Sequence, residues 1–263
     1  MVPTPRTPEI FQTPIDEIDL TGLPAKSDPG FIDSLTSRYT LEYGARGWSA
    51  TVVVSDGYLR VVAVPEEKTQ PKTYLVALLN HGRFEDALPA LQSLYGMVND
   101  PDICFNYGVA LAALDKVEES LAPLRACLKL DPSYDRAAIA LSISCSKLEQ
   151  YHEAESILRK AAKIQPDNAL IKQNLAEILA RAGRSVEALP FFRQAASLAP
   201  NNPACLMGLA QCLNSIAEHQ AEALKVCKDL VKKFPDSPFT EAAKQILERA
   251  GKDYEIAKAM VGK

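Results

Sequence analysis

The sequence predicts a mainly α protein: an α-solenoid of stacked helix-turn-helix units, preceded by a small N-terminal region containing a β-hairpin. Three observations lead there. Pro132, Pro166, Pro200 and Pro235 fall 34, 34 and 35 residues apart, each closing a similar phrase such as Leu130-Asp131-Pro132 or Leu198-Ala199-Pro200. Between the prolines, apolar residues recur three and four apart, which puts one apolar stripe on each helix. Upstream, Asp56-Gly57 separates two β-branched runs, the strongest short signal for a hairpin. A fixed period of this length belongs to an array whose units cover one another's apolar faces.

Residues 1–30 hold 6 of the 18 prolines and read as an extended, Pro-rich leader. A short helix is expected from Phe31 to Tyr43 and the hairpin over residues 48–64. Both hairpin strands are apolar on both faces, and a lone two-stranded hairpin is marginal in water. The hairpin must therefore be covered by the first repeat helices, by a second copy of the chain, or by a partner strand. Trp48, Val52, Val54, Leu59 and Val61 are its candidate interface, and through them a homo-oligomer. Pro65 to Pro71 reads as a linker. The expected organisation is a leader (1–30), a helix-plus-hairpin region (31–66) and a repeat array (67–263).

Within the array, the clear units run 101–134, 135–168, 169–202 and 203–237. With each proline at position 32, the first unit offers Cys104, Tyr107, Gly108, Leu111, Ser120, Leu124 and Cys127, and the second Ala138, Leu141, Ser142, Cys145, Ala154, Leu158 and Ala161. The third fits with Leu175, Ala176, Leu179, Ala188, Phe192 and Ala195, although Lys172 stands at an apolar position. The fourth carries one extra residue in its turn, between Ala217 and Gln220. Small residues in these slots let paired helices approach, and the proline ends the helix it follows. Residues 68–100 form a degenerate first unit, because Gly82-Arg83-Phe84-Glu85-Asp86-Ala87-Leu88-Pro89 echoes Gly183-Arg184-Ser185-Val186-Glu187-Ala188-Leu189-Pro190. Residues 238–263 read as capping helices, one carrying Phe239, Ala242, Ala243, Ile246 and Leu247 and a second after a turn at Gly251.

This pattern resembles the tetratricopeptide repeat (TPR) family over roughly three quarters of the chain. The resemblance implies a right-handed superhelix that binds another protein on a concave groove lined by the first helix of each pair. Carried onto this sequence, the groove residues are Phe105, Asn106, Val109, Arg136, Ile139, Ile143, Gln173, Asn174, Glu177, Arg181, Met207 and Gln211. The apolar members are expected to receive apolar side chains, and the amides of Asn106 and Asn174 to grip a peptide backbone, since an amide both donates and accepts. Some relatives clamp a terminal carboxylate with Lys and Asn where this chain has Phe105 and Val109, or Ile139 and Ile143, so that mode is not expected. The leader is itself suited to lie in the groove as an autoinhibitory segment.

Composition narrows the function classes. Net charge is −4, and residues 67–263 are charge-balanced, which argues against a nucleic-acid or membrane-surface footprint. No apolar run is long enough to span a bilayer, and the N-terminus lacks a signal core, so a cytoplasmic location is expected. The 6 cysteines form no CxxC or Cys/His pair and read as buried reduced thiols rather than zinc ligands. His81, His152 and His219 fall in or beside turns with no second ligand at metal spacing. No phosphate loop, dinucleotide or hydrolase motif occurs. No metal, cofactor or catalytic residue is expected. The reading is a non-enzymatic adaptor, scaffold or assembly factor. The alternatives are a cytosolic chaperone of secretion substrates, similar to the TPR chaperones of type III secretion, or a self-assembling structural protein.

Overall fold

The computed structural model describes residues 8–64 and 71–261, with side chains to residue 250. Two compact units divide the chain at Ala137/Ala138. The first holds β1 (Glu9–Pro14), a 3-10 turn (Ile15–Glu17), α1 (Phe31–Ala45), β2 (Ser49–Ser55) and β3 (Tyr58–Val64), then α2 (Pro71–Asn80), α3 (Phe84–Met97), α4 (Pro101–Ala113) and α5 (Val117–Leu130). Helix α6 (Asp135–Lys147) begins at the boundary. The second unit continues with α7 (Tyr151–Ile164), α8 (Ala169–Arg181), α9 (Ser185–Leu198), α10 (Pro203–Asn214), a 3-10 turn (Ala217–His219), α11 (Gln220–Lys233) and α12 (Thr240–Val261). The 3-10 turn absorbs the extra residue of the fourth clear unit. The expected linker residues 65–70, and residues 1–7 of the leader, lie outside the described residues.

The hairpin forms as expected. Asp56 (φ 54°) and Gly57 (φ 77°) are both left-handed, the requirement of a two-residue turn whose twist matches the strands. The sheet has a third strand, however, and it comes from the leader. The order is β1-β3-β2, antiparallel throughout, with Phe11 opposite Val61 and Val52 opposite Val61. Pro14 sits at the end of β1, where its missing donor does least harm, and Ile15, Ile18, Leu20 and Leu23 pack below the sheet. Residues 8–30 are therefore built into the sheet layer and do not lie in a groove.

Each face of the sheet is covered. Leu59, Val61 and Ala63 face α1 and join Phe31, Leu35, Tyr43 and Trp48 in one core, flanked by Val52 and Val54. Val62 and Val64 face the other way and pack with Tyr74, Leu75 and Leu78 of α2 and Leu91 and Leu94 of α3. This corrects the expected hairpin interface. Trp48, Leu59 and Val61 are buried, Val52 and Val54 half-buried, because α1 and the leader complete the layer that two strands alone lack.

The helix pairs start and stop by local chemistry that recurs with the period. Asp100, Asn168 and Asn202 cap α4, α8 and α10 by accepting backbone N–H bonds, and Pro101 and Pro203 take the first helical position. The first helix of four pairs ends in a 6→1 bond: Arg83 N to Leu78 O, Lys116 N to Leu111 O, Gln150 N to Cys145 O and Arg184 N to Leu179 O. The residue before each donor is left-handed: Gly82, Asp115 (φ 62°), Glu149 (φ 59°) and Gly183. Glycine adopts that conformation without strain, so Glu149→Gly is expected to gain about 0.5 kcal/mol, less than the αL penalty because glycine also loosens the unfolded chain. A small rise in thermal midpoint checks this.

Close approach decides one further position. A Cβ on Gly108 would lie 2.6 Å from Leu124 Cγ, so α4 and α5 touch where the family pattern puts a small residue. At the C-terminus, the expected turn at Gly251 does not form. Helix α12 runs unbroken from Thr240 to Val261, since one helical glycine costs only about 1 kcal/mol and no proline follows it.

Candidate functional site

In the first unit, α2 and α4 together with the start of α6 enclose a cavity of about 350 Å³. Val76, Leu79, Phe84 and Val109 supply an apolar wall, while Phe105 and Tyr134 supply an aromatic one. The two rings stand 5.2 Å apart, and the Arg136 guanidinium lies over Phe105 at 4.6 Å. Tyr134 and Arg136 cover Phe105. At the rim, Lys72 Nζ bonds Asp100 Oδ2 at 2.9 Å and also Asp102, whose other oxygen accepts the Tyr134 hydroxyl at 2.7 Å. The bonds from Lys72 and Tyr134 hold the Asp102 carboxyl below its usual range. Burial, helped by the Asp102 bond, pushes the Tyr134 hydroxyl up. Burial would lower the Lys72 ammonium, but its two carboxylate bonds outweigh that and raise it. These groups are internally satisfied.

Two further polar groups line the cavity. The Asn106 side chain is only 8% exposed and lines the cavity, yet its amide has no hydrogen-bond partner among the described residues. Arg136 makes no ion pair among them. Four of the residues expected in the groove, Phe105, Asn106, Val109 and Arg136, thus meet in one cavity. Lys72, Phe84 and Tyr134 join them without having been expected. The Phe84 echo of the third repeat was the available signal for that wall.

In the second unit, a cavity of about 470 Å³ lies among α8, α9 and α10, lined by Glu177, Arg181 and Gln211 with Phe192 and Gly208. Gly208 leaves room there for the Phe192 ring, which a Cβ would meet at 2.7 Å. Gln173 donates to Glu177 Oε1 at 2.9 Å and accepts from Cys205 Sγ at 3.0 Å. Asn174 donates to Leu170 O at 2.8 Å, one turn back. Ile139 is half-buried and Ile143 is exposed; neither lines this cavity. Met207 corrects the expectation outright: at 3% exposure it is a core residue, packed with Cys227, Leu230 and Ala243 of the last two helices.

All six cysteines are buried and none forms a disulfide. Burial pushes the Cys127 thiol up to about 12 and raises Cys205, Cys212 and Cys227 as well. Among the described residues, no group of three His, Cys, Asp or Glu is placed to hold a metal ion, and no helix is long and apolar enough to cross a membrane.

Comparison with known proteins follows this geometry. One tetratricopeptide repeat model matches residues 76–135 and 146–203, and a second matches residues 179–239. The chain belongs to the tetratricopeptide repeat family. Solved TPR structures resemble it at low identity. MamA (residue 41 to its end) from Desulfovibrio magneticus RS-1 is 20% identical with a TM-score of 0.56, over 64% of this chain and 95% of that one. A thermophilic TPR protein from Thermus thermophilus, TTC0263, is 20% identical with a TM-score of 0.56, over 67% and 97%. YrrB, described as a TPR protein with an unusual peptide-binding site, is 17% identical with a TM-score of 0.52, over 66% and 90%. No curated protein sequence matches the chain. At these identities the likeness speaks to the TPR fold, an α-solenoid preceded here by the three-stranded sheet.

Proposed function

We propose that this protein is a non-enzymatic interaction module that holds a peptide segment of another protein against the first helices of its repeats, with the first-unit cavity as the principal seat. The observation that carries this is Asn106. Its amide lines the cavity and makes no hydrogen bond to the described residues, so a peptide backbone entering there would meet both its donor and its acceptor. Phe84, Phe105 and Val109 beside it offer the apolar contact that gives such sites their affinity. The peptide-binding site named for YrrB is consistent with this use of the fold. Glu177, Arg181 and Gln211 are assigned to a second, more polar contact on the second unit.

The test starts from random decapeptides displayed on phage and selected against the full-length protein, with selected peptides measured by calorimetry. Asn106→Ala is expected to weaken them about tenfold, a loss of roughly 1.4 kcal/mol, while circular dichroism stays unchanged. Gln211→Ala is expected to weaken them less. Peptides that bind wild type and Asn106→Ala equally would sink the assignment of this cavity.

A further inference from the structure

Among the described residues, the outer edge of β2 is open to a further strand. In the β2–β3 ladder the Asp56-Gly57 turn closes on Ser55 opposite Tyr58. A two-residue hairpin makes that closing pair a hydrogen-bonded one, and bonded and non-bonded pairs then alternate. Ser49, Thr51, Val53 and Ser55 thus bond to β3. Ala50, Val52 and Val54 turn their N–H and C=O groups to the opposite side, where β2 has no neighbouring strand among the described residues, since β3 is central. No other backbone bond reaches these three among the described residues.

The two edges of the sheet are unlike. On β1, Glu9 is charged and paired with Arg46 at 2.8 Å, and Pro14 ends the strand; charge and proline both discourage further pairing. On β2, Ser-Ala-Thr-Val-Val-Val-Ser carries no charge, proline or glycine, and its register with β3 is unbroken. A cleft of about 470 Å³ lies beside Ser49, Ala50, Thr51 and Val52. Thr36 and Thr40 of α1 form one wall, and Pro71, Leu94, Val98 and Ile103 form the other. Its charged residues, Lys72 and Asp100, neutralise each other at 2.9 Å.

We propose that this cleft takes an extended, uncharged segment of a partner protein as a fourth strand on β2. Main-chain bonds to Ala50, Val52 and Val54 would hold it. Its alternate side chains would meet the aliphatic wall on one face and the threonine wall on the other, which selects aliphatic residues alternating with serine or threonine. A neutral cleft suits a neutral occupant. A second copy fits poorly: its β2 stands between the same two walls, and two walled edges do not close to the ~4.8 Å spacing of paired strands. The assignment is independent of the Asn106 cavity.

The probe is the acetylated, amidated heptapeptide Thr-Val-Thr-Val-Thr-Val-Thr, titrated into the full-length protein while amide hydrogen exchange is read by NMR. At a concentration about ten times its Kd, exchange at Ala50, Val52 and Val54 is expected to slow about tenfold, with Thr51 and Val53 little changed. Val52→Pro removes the central outward donor without breaking a bond to β3, and Thr40→Arg brings a charge into the cleft from an exposed position. Both are expected to abolish the protection, with Trp48 emission verifying that each is folded, whereas Asn106→Ala retains it. Unaltered exchange at the three residues on adding the heptapeptide overturns the proposal. So does slow exchange there without peptide in protein that sediments as a dimer, which gives the edge to a second copy.

Discussion

Val61→Asp is expected to unfold the sheet layer. Val61 is fully buried in the central strand, between Phe11 and Val52 on its neighbours and beneath Phe31, Leu35 and Trp48. A carboxylate there has neither water nor a cation, and burying an unpaired charge belongs to the class of changes costing more than about 4 kcal/mol. That is a large share of the stability of an ordinary domain. The chain supplies its own reporter, since Trp48 is its single tryptophan and lies in this core. Its emission should shift to the red and its unfolding midpoint should fall. Ile32→Asp, at a position 50% exposed on α1, should do neither. An unshifted emission in Val61→Asp would return Val61 to the surface and restore the apolar face of the hairpin as an interface.

The second large effect concerns helix approach. Gly108→Val is expected to destabilise the first unit by about 3 kcal/mol. Its Cβ alone would lie 2.6 Å from Leu124 Cγ and 3.3 Å from the Ser120 backbone oxygen. Leu124 is fully buried and cannot swing away, so the helices must separate, which typically costs about 1–3 kcal/mol and more for a branched side chain. Leu124→Ala alone should cost about 3 kcal/mol by leaving a cavity. The double variant should be less damaged than the sum by at least about 1 kcal/mol, because the valine fills space the leucine vacates. Urea unfolding of the four proteins measures that coupling; strict additivity would show that the two side chains do not meet.

The repeat array was legible because its determinants are local and periodic. Proline 32, the small residue at Gly108 and the Asp-Gly turn each act within a few residues of themselves. Strand β1 was not, because its pairing with β3 spans about fifty residues of chain and its apolar residues sit among prolines that read as a leader. The terminal helix was misread at Gly251, where a weak local breaker was outvoted by its neighbours. The first-unit cavity was half legible. Phe105, Asn106, Val109 and Arg136 follow from repeat positions, but Lys72 and Phe84 belong to the degenerate unit and Tyr134 to a connection, where the repeat pattern assigns no role. Met207 shows the limit of transferring positions: in the last repeat that side chain is enclosed by the terminal helices, so the same slot becomes core.

The buried thiols have a practical consequence. Cys104 and Cys127 lie on α4 and α5, Cys145 on α6, Cys205 and Cys212 on α10, and Cys227 on α11. A thiol sealed from solvent reacts only when its segment opens. Alkylation rates followed cysteine by cysteine therefore report the opening free energy at successive stations along the array. The molecule carries its own set of strain gauges, and a guest that stiffens one stretch would register as a slowed clock at the nearest cysteine.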